Sequence, residues 1–189
     1  MTMAYTRQCR LDQRKAMGRH SKGFTLIELL VTIAIGTMLM VVAVPSFVAF
    51  QKNAQLSEAA SNFMAAINVA RANAMKQGVD TYLVPVSGND WKTGWSVFTD
   101  TNWNQSYDSG TDPVILSFEA LASSVSIGTT TGSFSSGYVR FNGSGYPRLK
   151  NNGFGGGTLV MSNGTRSSSI IIDPAGRVRS CKTDPTAGC

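Results

Sequence analysis

Three regimes of hydrophobic patterning follow one another along the 189 residues of the chain. From Phe24 to Phe50 the sequence reads FTLIELLVTIAIGTMLMVVAVPSFVAF, in which Glu28 is the only ionisable side chain. At about 1.5 Å per residue, a helix of this length outspans a ~30 Å hydrocarbon core. Pro45 is expected to bend or loosen it, and beyond that point the pattern becomes amphipathic. Leu56, Ala60, Phe63, Ile67, Ala70 and Ala74 recur at three- and four-residue steps, opposite Lys52, Glu58, Asn62, Asn68, Asn73 and Lys76. Gly78 is the expected stop. From Val79 onward the period shortens to β-prone runs, DTYLVPV, WSVFTD, VILSFEAL, YVRFN, TLVMSN, SSIIID and RVRSC, separated by Gly, Asn, Asp and Ser. Roughly 110 residues make one core, so two small sheets or one curved sheet should sit on the helix. The predicted class is α+β, a long N-terminal helix packed on a C-terminal antiparallel β domain. Its divisions are a leader at 1–23, a transmembrane helix at 24–50, an amphipathic continuation at 51–77 and the β domain at 78–189.

Charge sets the expected topology. Before the apolar run, Arg7, Arg10, Arg14, Lys15, Arg19 and Lys22 oppose Asp12 alone. The positive-inside rule keeps residues 1–23 cytoplasmic and exports the rest. The formal net charge of +6 resides mostly in this leader. Residues 24–189 hold eleven basic and ten acidic side chains, a net of +1, yet residues 140–189 hold seven basic and two acidic ones, a local +5. The single histidine, His20, also lies in the leader. The remainder has no imidazole for metal binding or acid–base work near neutral pH, so an enzyme is not expected and no cofactor or metal is assigned. Cys9 is on the cytoplasmic side, whereas Cys181 and Cys189 would meet an oxidising compartment a short loop apart. A disulfide between them is expected to order the tail; two free thiols are the alternative.

A carboxylate near the buried start of a membrane helix costs on the order of 2.5–3.5 kcal/mol, so Glu28 calls for a cationic partner. The stretch Lys22-Gly23-Phe24-Thr25-Leu26-Ile27-Glu28 resembles the processing site of type IV prepilins. The resemblance implies that a prepilin peptidase cuts after Gly23 and methylates the new amine on Phe24. It also implies that Glu28 pairs with the Phe24 amine of a neighbouring subunit during assembly. A cleaved secretory signal or plain signal anchor is the competing reading, but the apolar run is long for an h-region and lacks a small-residue cleavage site. Further along, ARANAMKQG at the helix end, W-x-x-G-W-x-V-F-x-D-x-N from Trp91 to Asn102, and the terminal Gly176-Arg177-Val178-Arg179 resemble the GspH/FimT family of minor pilins and pseudopilins. That family implies a type IV pilin-like fold and a single-pass inner-membrane protein with a periplasmic domain, extracellular once in a pilus. Its expected partners are other pilins or pseudopilins, prepilin peptidase and, before assembly, inner-membrane lipid.

The Gly-Arg-x-Arg segment is the leading functional candidate. Asp173-Pro174-Ala175-Gly176 is a turn sequence, and an extended chain beyond it projects Arg177 and Arg179 to one face. Two guanidiniums with Lys182 close by form a fork-like phosphate site. In FimT-type minor pilins the motif is associated with binding DNA during natural transformation, and Gly176, Arg177 and Arg179 match it. Arg140, Arg148, Lys150 and Arg166 are candidate extensions of the patch, with Tyr146 and Phe154 as stacking partners. A solvated strand face or a contact with a neighbouring subunit would account for the same arginines.

Other motifs are weaker. Asp100, Asn102, Asn104, Asp108 and Asp112 begin like a calcium loop but lack Gly at the sixth position and Glu at the twelfth, and Asx-turn chemistry accounts for the same residues. Trp91, Trp95, Phe98 and Trp103 read as core and sheet-surface aromatics. Gly153 to Gly157 reads as a flexible loop, since no GK[ST] or helix pattern follows to make a phosphate cradle. Serines without a histidine or a G-x-S-x-G string give no nucleophile.

Two functions remain open: a minor pilin that captures extracellular DNA for uptake, or an H-type minor pseudopilin of a type II secretion system with no DNA role. The basic end separates them, because phosphate capture needs it. For Glu28, the expected outcome is that a Glu28→Ala chain inserts and is cleaved but enters filaments poorly. Normal incorporation, scored by immunoblot of sheared filaments, would refute its pairing with the Phe24 amine.

Overall fold

The computed structural model describes residues 23–183. A single helix, α1 (Leu26–Gln77), occupies the first third. Thr25 caps it: the Glu28 N–H donates to Thr25 Oγ1 at 3.3 Å and the Leu29 N–H to the Thr25 carbonyl at 3.1 Å. Thr25-x-x-Glu28 is thus a capping-box sequence, with the acid also placed favourably against the helix dipole. Glu28 thus has a local role at the helix start besides the pairing expected of it. The helix continues through Pro45; the loosening expected there amounts to a missing N–H opposite the Val41 carbonyl, not to a break. Two compact units divide at Ala43 and Val44. In the first, the large apolar side chains are exposed, and the helix is long and apolar enough to cross a membrane.

In the second unit the helix acquires an inside. Leu56, Ala59, Ala60, Phe63, Ala66, Ile67, Ala70 and Ala74 are buried, which includes every position of the predicted stripe. Asn73 departs from its predicted outer face. Its Nδ2 donates to Thr99 Oγ1 at 2.8 Å and to Thr81 Oγ1 at 3.2 Å, joining the helix to two buried threonines of a sheet. The Gly78 N–H bonds the Ala74 carbonyl at 2.9 Å and ends the helix, as predicted.

Among the described residues the strands form two antiparallel sheets. The first holds β1 (Thr81–Ser87), β2 (Asp90–Thr99), β3 (Val114–Phe118), β5 (Val139–Phe141) and β6 (Pro147–Arg148), in the order β3-β2-β1-β5-β6. The second holds β4 (Ser126–Thr130), β7 (Gly157–Ser162), β8 (Ser167–Ile172) and β9 (Val178–Thr183), in the order β4-β7-β8-β9. The seven predicted runs correspond to β1, β2, β3, β5, β7, β8 and β9. β4 escaped notice because SIGTT carries one large apolar residue, and β6 is too short to have a period. Pro85 is tolerated in the interior strand β1 because pairing with β5 stops at Leu83.

The glycine run is not a flexible loop. A Cβ on Gly157 would stand 2.2 Å from the Thr131 carbonyl oxygen, and one on Gly156 2.7 Å from that of Ile172. The Gly155 N–H bonds Pro147 of the first sheet at 3.0 Å, while the Gly156 carbonyl accepts from Ser133 at 2.9 Å. Side chains are absent here because backbones meet at the seam between the sheets.

Phe63 closes the core. Its ring packs edge-on to Trp95 at 4.8 Å and Trp91 at 5.3 Å, with Phe134 at 5.8 Å. Trp91 Nε1 donates to the Phe134 carbonyl at 2.9 Å, so that indole is buried without a lost hydrogen bond. Phe63→Ala should lower the unfolding free energy by about 3–5 kcal/mol, measured by denaturant titration with tryptophan fluorescence; a loss under about 1 kcal/mol would contradict this role.

Candidate functional site: a basic turn and edge strand

The β8–β9 hairpin is set by its own sequence. The Gly176 N–H bonds the Asp173 carbonyl at 2.8 Å and the Asp173 N–H bonds the Arg177 carbonyl at 3.1 Å. Gly176 has φ +81°, the left-handed residue that completes a three-residue hairpin loop. It is also buried, since a Cβ there would meet the Gly145 carbonyl oxygen at 2.7 Å. Register then sorts the strand. Val178 pairs with inward Ile172 and Arg179 with Ile171, so Arg177 and Arg179 point outward as predicted. Both are exposed.

Asp173 organises the first arginine. Its Oδ1 accepts the Arg177 backbone N–H at 3.0 Å and its Oδ2 the Arg177 Nε–H at 3.0 Å. The Arg177 side chain is nevertheless 82% exposed, and its two Nη groups have no acceptor among the described residues. The backbone N–H of Arg177, followed by its guanidinium, holds the Asp173 carboxyl below the ordinary aspartate range. Arg179 has no ion pair among the described residues.

The turn is stitched to the helix by a residue that sequence reasoning missed. Arg71 Nη1 donates to the Gly176 carbonyl at 2.8 Å and Nη2 to that of Ala175 at 3.5 Å. A signal existed: Arg71 falls four residues after Ile67 and three before Ala74, in line with the buried stripe.

The candidate extensions separate. Arg140 is not part of a surface patch. Its side chain is 9% exposed and pairs with Asp80, Nη2 to Oδ2 at 2.6 Å and Nε to the same oxygen at 2.7 Å. A further bond to the Leu149 carbonyl at 3.1 Å commits it to the interior. Lys182 pairs with Ser168, which faces inward, so it lies on the face of β9 opposite Arg179; Arg166 borders the same cavity as Lys182. Lys150 Nζ donates to the Gln105 carbonyl at 2.9 Å. Arg148 lies 5.0 Å over the ring of Phe154, which is 74% exposed, and Tyr146 is 47% exposed. The turn preceding Tyr146 and the glycine run following Phe154 touch Gly176 and Ile172 respectively. Arg148 at the end of β6, flanked by Tyr146 and Phe154, thus lies between segments that abut the β8–β9 hairpin.

The acidic loop is a hydrogen-bonded knot. Asp100 accepts from the Asn104 and Gln105 N–H groups at 3.2 and 2.9 Å. Asp112 accepts from Thr101 and Asp108 N–H groups, each at 2.9 Å. Asp108 accepts from Asn102 and Asn104 side chains. Although desolvation opposes it, these N–H groups hold the Asp112 carboxyl below its ordinary value. The aspartates are occupied by turn chemistry. Trp91, Trp95 and Phe98 are buried, but Trp103 is 60% exposed with φ +62°. It sits at the tip of this knot, where backbone geometry rather than apolarity decides its direction. Cys181 is on β9; Cys189, and with it the expected disulfide, lies outside the described residues.

Comparison with known proteins places this geometry. The family model described as "Type II transport protein GspH" matches residues 59–176, and the "Prokaryotic N-terminal methylation motif" matches residues 18–44. The chain belongs to the GspH family. Membership makes this GspH-type chain a type IV minor pilin or pseudopilin, and implies association with other pilins or pseudopilins and processing by prepilin peptidase. The fold is that of the type IV minor pilin FimU of Pseudomonas aeruginosa (strain PAO1). The two share 16% identity at a TM-score of 0.53 in one crystal form, covering 73% of this chain and 98% of FimU. A second crystal form gives 15% identity and a TM-score of 0.52, covering 70% and 98%. No curated protein matches the chain. The GspH match stops at Gly176, so Arg177 and Arg179 lie just beyond it.

Because the Asp173 carboxyl is depressed, its contribution is present above the ordinary aspartate value near 4 and is lost as pH falls through the lowered one. In an NMR titration, the Asp173 carboxyl carbon should have its midpoint below ~3.9, with the Arg177 Nε–H signal changing in step. A midpoint at or above that value would contradict the clasp.

Proposed function

We propose that this chain is a minor pilin that binds extracellular DNA through its phosphate backbone and supports DNA uptake in natural transformation. The observation that carries the reading is the outward pair Arg177 and Arg179, whose guanidiniums keep N–H groups with no acceptor among the described residues, on a turn braced by Asp173, Gly176 and Arg71. Arginine forks suit phosphate oxygens. Arg148 with Phe154 and Tyr146 adds a cation and two exposed rings on abutting loops, suited to phosphate contact and base stacking. The footprint omits Arg140, whose charge is spent on Asp80. In this reading the leader is removed after Gly23, residues 24–50 hold the chain in the inner membrane, and the domain from residue 78 is periplasmic or, in a pilus, extracellular. Glu28 pairs with the Phe24 amine of a neighbour, and a Cys181–Cys189 disulfide ties down the tail behind β9.

A second reading, an H-type minor pseudopilin of a type II secretion system, is favoured by the wording of the matching family model. Salt-titrated DNA retention by the chain from about Gln51 onward separates the two. Under the proposal, DNA is held at low salt without sequence preference. Replacing Arg177 and Arg179 together with alanine should weaken binding and reduce the slope of log affinity against log salt by about 2. Unchanged affinity in a folded double variant, or no retention at low salt, would overturn the proposal; the latter favours secretion.

A further inference from the structure

The inward face of β9 carries a second cationic feature. Lys182 and Ser168, paired across β8 and β9, join Arg166 from the β7–β8 turn and Asn53, Leu56 and Ser57 from α1 around an open cavity of about 380 Å³. The frame is rigid. Asn163 Oδ1 accepts from the backbone N–H groups of Thr165 and Arg166 at 3.1 and 2.8 Å. Asn163 Nδ2 in turn donates to Asn53 Oδ1 at 2.7 Å, which pins the turn to the helix.

Three observations define a ligand for this space. Its lining includes two cations and no acid, and neither Arg166 nor Lys182 has an ion pair among the described residues. Ser168 is 3% exposed, and its Oγ has no hydrogen-bond partner among the described residues; a buried hydroxyl left so is costly unless something else accepts from it. Finally, Asn53 follows Phe50 by three residues, about 4.5 Å along the axis, and Phe47 and Phe50 are 66% and 69% exposed. The helix residues that line the cavity, Asn53, Leu56 and Ser57, thus follow within two turns of the point where the apolar run ends, and a run held in a membrane ends among the headgroups.

We propose that this cavity binds the phosphate of an anionic phospholipid headgroup while the chain is anchored. Arg166 and Lys182 neutralise the phosphate, the Ser168 hydroxyl donates to one of its oxygens, and Leu56 packs against the glycerol. The assignment requires membrane anchoring but neither DNA binding nor a particular leaflet.

The test uses the full chain in non-ionic detergent, with the Arg166 and Ser168 amide signals followed by NMR. Dihexanoyl phosphatidylglycerol should shift them saturably. Dihexanoyl phosphatidylcholine and inorganic phosphate should do so far more weakly. The Arg166→Gln, Lys182→Gln double variant should lose about thirtyfold in affinity, the worth of two cations at an anionic lipid surface. Ser168→Ala, which adds no volume, should lose severalfold while keeping the fold. Arg177→Ala with Arg179→Ala should leave lipid binding unchanged, so this site and the DNA site fail independently. Equal response to phosphatidylcholine, equally tight binding of inorganic phosphate, equal shifts with a DNA oligonucleotide, or unaltered affinity in the glutamine double variant would each overturn the headgroup assignment.

Discussion

Phe63 stands edge-on to Trp91 and Trp95 with Phe134 beside it, and the folded unit depends on that contact. It joins three parts of the chain far apart in sequence: α1, the long strand β2, and the short 3₁₀ turn Gly132–Phe134 that leads from the second sheet back to the first. Aromatic rings bury more area than the alanines flanking Phe63 on the helix, and edge-on packing adds to that burial. The alanines let the helix approach closely, and the phenylalanine reaches the two tryptophans of β2 and the ring of Phe134.

Once the helix is docked, packing distributes the basic residues among distinct tasks. Arg140 is drawn inside, where the short bonds to Asp80 offset a desolvation that neither group would bear alone. Arg71 turns its two Nη groups to the carbonyls of the Asp173–Gly176 turn, so its charge serves as a brace. Arg177 gives its backbone N–H and its Nε–H to Asp173, and its two Nη groups have no acceptor among the described residues. The Arg179 guanidinium has no acceptor among the described residues. Four arginines scattered between positions 71 and 179 become, in space, one buried pair, one strut and two exposed forks.

β9 is an edge strand whose two faces carry separate cationic groups, because side chains alternate across a pleat. Arg179 and Lys182 are three residues apart and therefore cannot share a face. One face carries Arg177 and Arg179; the other closes over the cavity beside Asn53 and Leu56. A bound polyanion on the outer face and a small anion on the inner one would not compete for the same side chains.

Several levels were legible in the residues alone: the apolar run, the amphipathic stripe from Leu56 to Ala74, seven of the strands, the helix end at Gly78, and the outward direction of Arg177 and Arg179. Each follows from a local period or a single turn chemistry, which neighbouring residues suffice to determine. The destinations of Arg140, Lys182, Asn73 and Trp103, and the tight seam at Gly155 to Gly157, were not legible. Those depend on partners such as Asp80, Ser168, Thr99 and Thr131, brought close only by sheet order and register. Sequence by itself determined which elements form and which face of each is apolar. Tertiary structure decided which charges remain available, since availability depends on every oxygen within reach of a side chain, and most of those oxygens come from distant segments.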